Sequence, residues 1–129
     1  MNPKELEGLQ TYLRRLFGNP AIRVQPRPQK EDTAEVYIGG ELVAMITLDD
    51  EDGDRSFNLQ MAIHEIELER AQSHLRRLLG NPSIKVLARP KKTDSAEVFV
   101  GEEFIAVLFV EERDSSFSLQ MAILDTDIE

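Results

Sequence analysis

The sequence predicts an α+β protein made of two tandem α-β-β-β-β repeats, each one helix with an antiparallel four-stranded meander, folded as a pseudo-twofold single-chain dimer. Three observations predict it: an internal repeat, a switch from helical to alternating periodicity within each copy, and a junction without a linker. The run LRRLFGNPAIRVQPRP from Leu13 matches LRRLLGNPSIKVLARP from Leu75, and SFNLQMAI from Ser56 matches SFSLQMAI from Ser116. The offset is 62 residues through most of the unit and 60 after the acidic turn, where Gly53 and Asp54 have no counterpart. Such self-similarity governs the fold and is read before anything else. The boundary falls at 1–64 and 65–129, and HEIELERAQ crosses it without Gly, Pro or Ser. Flexibly tethered beads need a linker, so the two repeats are expected to pack on each other across one interface.

Each element has its own signal. Asn2, Pro3 and Glu5 form a helix start, with Asn as cap, Pro in the first turn and Glu three residues after the cap. Leu6, Leu9, Leu13, Leu16 and Phe17 recur at three- and four-residue steps, giving one apolar stripe. Gly18 suits a left-handed C-cap and Pro20 blocks continuation. The second helix repeats this with Leu68, Ala71, Leu75, Leu78 and Leu79, ending at Gly80 and Pro82. Ile22 and Val24 point inward on a first strand whose Pro26 and Pro28 mark it as an edge. Gly39-Gly40 reads as a two-residue hairpin, and Gly101-Glu102 permits a type II′ turn in the second copy. The last strand alternates, with Phe57, Leu59, Met61 and Ile63 on one face. The third strand does not alternate: Leu42 to Leu48 and Phe104 to Val110 are apolar on both faces. The expectation is that it is covered twice, by its own helix and by the other half. Edge-to-edge and face-to-face packing of the two sheets stay open at this stage, as does exchange of helices between halves.

Composition bounds the function. The 129 residues carry 15 Lys and Arg against 24 Asp and Glu, for a formal net charge of −9. That charge disfavours nucleic acid and anionic membrane at long range. Without Cys there is no disulfide, thiolate metal site or cysteine nucleophile. The polar N-terminus is unlike a secretory signal and no run reaches the length of a membrane span, so a cytoplasmic setting is expected.

No catalytic or metal-binding constellation emerges, and no cofactor is expected. The acidic turn Asp49 to Asp54 fails as an EF-hand: setting Gly53 at position six puts Leu48 at position one and Leu59 at position twelve. His64 and His74 are not equivalent in the two copies, since Leu124 and Tyr12 stand opposite them. Gln60 and Gln120 occupy the outward face of the last strand, as ligand-facing amides or as polar residues of a half-exposed strand. The cations are more informative. Arg14 and Arg15, like Arg76 and Arg77, close each helix, where they complement the negative end of the helix dipole. Arg27 with Lys30, and Arg89 with Lys91 and Lys92, follow the proline-bearing strand. If helix end and loop adjoin, each half carries a positive patch for an anionic partner.

Over nearly its whole length, each copy resembles a family of short alphaproteobacterial proteins of unknown function. The resemblance rests on LRRLFGNP-x-IRV, on AEVYIG, and on SFNLQMAI after an acidic turn. It implies a cytoplasmic bacterial setting and brings no activity or functional residue. Members of that family are single units, so the tandem form is either a natural duplication or an engineered single-chain dimer. The sequence therefore points to a non-enzymatic interaction or regulatory module whose partner is a protein. Nucleic-acid binding through the paired basic patches, and a scaffold with no function of its own, are the alternatives.

Overall fold

The computed structural model describes residues 1–50, 55–63, 68–88, 95–111 and 116–128. Its first helix, α1 (Pro3–Phe17), begins in a capping box: the Asn2 side chain accepts from the Glu5 N–H and the Glu5 carboxylate from the Asn2 N–H. It ends at Gly18, left-handed at φ 62°, whose N–H returns to the Arg14 carbonyl. Then come strands β1 (Ile22–Arg27), β2 (Lys30–Ile38), β3 (Glu41–Asp49) and β4 (Ser56–Ile63). The second copy follows as α2 (Leu68–Leu79), β5 (Ile84–Ala88), β6 (Ser95–Val100), β7 (Glu103–Glu111) and β8 (Ser116–Leu124), closed by a 3-10 turn at Asp125–Ile128.

All eight strands belong to one antiparallel sheet in the order β1-β2-β3-β4-β8-β7-β6-β5. The two meanders join edge to edge through their last strands, eight residues paired from Ser56↔Leu124 to Ile63↔Phe117. Gln60 pairs with Gln120, its own counterpart, so the pseudo-dyad passes between them. The proline-bearing β1 and its counterpart β5 are the outer edges, as their sequence predicts.

The predicted stripes form the core. Leu9, Leu13 and Phe17 of α1 and Ala71, Leu75 and Leu79 of α2 are buried with Phe57, Leu59, Met61 and Ile63 and their counterparts in β8. Both helices therefore cover the same side of the sheet. Each stays with its own half: α1 is hydrogen-bonded to β1 and α2 to β5. The helices are not exchanged between halves.

The expectation for the third strand is corrected. Neither β3 nor β7 pairs with the other half, since each lies between two strands of its own meander. Its unbroken apolarity has two local causes. A bulge shifts the register at Val36/Tyr37, and again at Val98/Phe99, so that Tyr37 pairs with Leu42 while Val36 pairs with Ala44. The extra residue turns both Val43 and Ala44 toward the core. Ile46 and Leu48, like Leu108 and Val110, join them in the core, while Leu42 and Met45, with Phe104, Val107 and Phe109, lie on the face that no helix covers.

Candidate functional site

The cations serve first as parts of the fold. Each helix carries a Gln and an Arg four residues apart, hence on one face, and both reach the open side of the adjacent edge strand. Gln10 Oε1 accepts from the Val24 N–H at 3.0 Å, and Arg14 Nε donates to the Ile22 carbonyl at 2.7 Å. In the second half Gln72 accepts from the Val86 N–H at 2.9 Å and Arg76 donates to the Ile84 carbonyl at 2.7 Å. Exposed edge strands are templates for unwanted pairing, and these side chains occupy that template. Arg14 and Arg76 thus have a structural partner that the sequence reading did not assign. The Gln-x-x-x-Arg spacing, present in both copies beside a proline-marked edge, was the signal.

The same bonds run α1 antiparallel to β1. The amino group of Met1 bonds the Glu31 carbonyl, so the helix start lies beside the β1–β2 turn. Arg27 and Lys30, paired with each other there, are consequently at the far end of the half from Arg14 and Arg15. Arg27 lies five residue steps along the strand from Ile22, roughly 17 Å at ~3.3 Å per step. Helix end and loop do not adjoin in the first half, and the condition for one basic patch is not met there. Arg89, Lys91 and Lys92 lie outside the described residues, as do His64 and the acidic-turn residues 51–54.

What the structure does bring together is the two helix C-termini. Asn19 donates through Nδ2 to the Leu79 carbonyl at 2.8 Å, and Asn81 donates to the Phe17 carbonyl at 2.9 Å. Each helix thus caps the other across the pseudo-dyad, satisfying carbonyls that a helix end leaves without partners. Exposed Arg15 and Arg77 flank this contact. Arg77 lines a groove of about 380 Å³ with Ile38, Glu41, His74 and Leu78. Burial lowers the pKa of His74 from its ordinary 6.5, Arg77 lowers it further, and Glu41 opposes them. Tyr12, its counterpart, is raised by burial and then by the charges of Asp127 and Glu103. Among the described residues none hydrogen-bonds the His74 imidazole or orients it as an acid or base. Among the described residues no group of three or more His, Cys, Asp or Glu is placed to hold a metal ion. No described helix is long and apolar enough to cross a membrane.

The feature the sequence reading missed is the helix-free face of the sheet. Leu42, Leu87, Phe104 and Leu124 are 48–54% exposed, and Phe109 is 36% exposed. Phe99 meets Phe104 edge to face at 5.6 Å between ring centres. The two halves differ here. Where the second half has Leu87, Phe99, Phe104 and Phe109, the first has Gln25, Tyr37, Leu42 and Thr47. Two shallow grooves of about 440 and 470 Å³ lie on this face, related by the pseudo-dyad and flanking the Gln60–Gln120 pair. Both glutamines are exposed on it.

Comparison with known families agrees with the repeat. The description "Protein of unknown function (DUF3126)" fits the chain twice, over residues 5–67 and 67–127. The chain belongs to the DUF3126 family. Each match takes in one helix with its four strands, so the DUF3126 unit is the half described above and this chain holds two in one sheet. No curated protein and no solved structure is significantly similar to it. Membership in DUF3126 assigns no reaction, so the chemistry of the surface has to carry the functional reading.

Proposed function

We propose that this chain is a non-catalytic module that binds another protein through the helix-free face of its sheet, chiefly over the second half. The observation that carries the reading is the row of large apolar side chains left 36–54% exposed on one face. Scattered exposed apolar residues are ordinary, whereas a contiguous group rimmed by polar residues marks an interaction surface. Four of these five side chains belong to the second half. The other places for a function are weaker. The space between the helices and the sheet is apolar and about 20 Å³, room for a water and not for a substrate. The sheet edges are partly occupied by Gln10, Arg14, Gln72 and Arg76. A net charge of −9 works against nucleic acid. Absence of Cys and the family resemblance favour the bacterial cytoplasm as the setting.

The test is a pull-down from bacterial lysate at low salt with the tagged chain, beside a Phe104→Ser/Phe109→Ser variant shown by circular dichroism to be folded. The expected result is a stoichiometric protein band retained by the unsubstituted chain and lost by the variant. With two Tyr and no Trp the protein absorbs weakly at 280 nm, so nucleic acid would be obvious. Nuclease-sensitive absorbance at 260 nm, or a band indifferent to the substitutions, would overturn the proposal.

A further inference from the structure

We infer that the segment taken by this face is an amphipathic α-helix with Lys or Arg flanking its apolar stripe, an inference that rests on the interaction-module reading above. The register defines the seat. One row of outward residues crosses six strands as Glu35, Met45, Gln60, Gln120, Val107, Glu97. The row is palindromic about the pseudo-dyad: acidic, apolar, amide, amide, apolar, acidic. Beside the amides the central strands expose Ala62 and Ala122, and Leu124 at the end of β8, so the face is low around the pseudo-dyad. Leu42 and Met45 stand on β3, and Phe104, Val107 and Phe109 on β7, as the two walls. Three strand spacings separate β3 from β7, about 14 Å at ~4.8 Å each. A helix with its side chains is roughly 10–12 Å across, and so enters between the walls. The paired length of β4 and β8, eight residues, is about 26 Å and matches a helix of roughly 17 residues.

Charge then selects the helix. Glu35 and Glu97 lie one strand outside the walls, where cations on the two flanks of a seated helix would reach them. Arg23 and Lys85 are a further strand out, on the edge strands. Tyr37 donates to Glu35 at 3.2 Å, which leaves the carboxylate facing the same surface. An extended strand is the poorer occupant, because its docking point would be a sheet edge and the helix side chains already bond those backbone groups. A second copy of this chain is poorer too. A dyad on this face sets trough against trough, leaving both empty, and brings two charges of −9 together. The more aromatic β7 wall fits a single asymmetric partner per chain.

The probes are two labelled 18-residue peptides with the same leucine stripe, one flanked by Lys and one by Glu, titrated into the full chain by fluorescence anisotropy. The Lys peptide is expected to bind 1:1, and at least tenfold more tightly than the Glu peptide. Phe104→Ser is expected to weaken it at least tenfold. Glu35→Gln/Glu97→Gln should weaken it at least threefold and flatten its salt dependence, while Arg15→Ala on the opposite face leaves it unchanged. Equal binding of both peptides, or binding of neither, overturns the inference. So does self-association in sedimentation velocity that Phe104→Ser abolishes, since the occupant is then a second copy. A lysate partner lost with Phe104→Ser/Phe109→Ser while neither peptide binds would leave the module reading standing and remove the helix alone.

Discussion

Replacing Asn19 by Ala tests how the two halves are held together on the helical side. The side chain makes two bonds, donating to the Leu79 carbonyl at 2.8 Å and accepting from the Ala21 N–H at 2.9 Å. Asn81 mirrors it, with the Phe17 carbonyl at 2.9 Å and the Ser83 N–H at 2.7 Å. At a net ~1 kcal/mol per hydrogen bond, each Ala variant should lose about 2 kcal/mol. Over 129 residues, an unfolding entropy of ~2.1 cal/mol/K per residue converts that loss to roughly 7 °C in Tm. The double variant should lose about 4 kcal/mol, a large share of a typical domain stability of ~5–15 kcal/mol. Asn19→Asp separates the two bonds. It keeps the acceptor for Ala21 and sets a carboxylate against the negative end of a helix, so it should melt below Asn19→Ala at neutral pH. Thermal melts with urea titrations measure the four variants beside the parent. If Asn19→Ala and Asn81→Ala each stay within ~0.5 kcal/mol of the parent, the cross-capping contact contributes nothing and the reasoning fails.

Three further outcomes follow from the same contacts. Gln10→Ala and Gln72→Ala should each cost about 1 kcal/mol, and hydrogen exchange at the Val24 and Val86 amides should accelerate in the matching variant while central β4 amides stay protected. Burial and Arg77 hold the folded-state pKa of His74 below 6.5, so the unfolded chain takes the proton first. Stability should therefore fall as pH drops through that range, and His74→Tyr, which installs the residue of the first copy, should flatten the urea midpoint measured on either side of it. The carboxyl of Glu5 is held below its ordinary 4.5, first by the hydrogen bond from Arg55 and against the opposing effect of burial. Arg55 meets it with two bonds, at 2.8 and 2.9 Å. That contribution is present above the ordinary value and is lost as pH falls through the lower folded one. Arg55→Gln should start acid unfolding at a higher pH, followed by circular dichroism, and an unchanged acid limb would refute the pairing.

The sequence by itself determined the repeat unit, the helix limits, the alternating core strand and the two edges. These are properties of neighbours in the chain: caps at Asn2 and Gly18, prolines at Pro26 and Pro28, and apolar residues at steps of two or of three and four. Their physics is local, so the pattern can be read without knowing what lies opposite. Even the third-strand signal was present, as an apolar run that would not alternate. Its meaning was not, because covering by the other half and exposure on an open face leave the same letters. Only the tertiary structure decided that β4 pairs with β8, since unpaired N–H and C=O groups look alike on every strand and register is set by partners far away in sequence. The cations changed role for the same reason. Whether Arg14 is a free charge or the clasp on the Ile22 carbonyl depends on which way the helix crosses the strand, and no spacing along the chain encodes that direction.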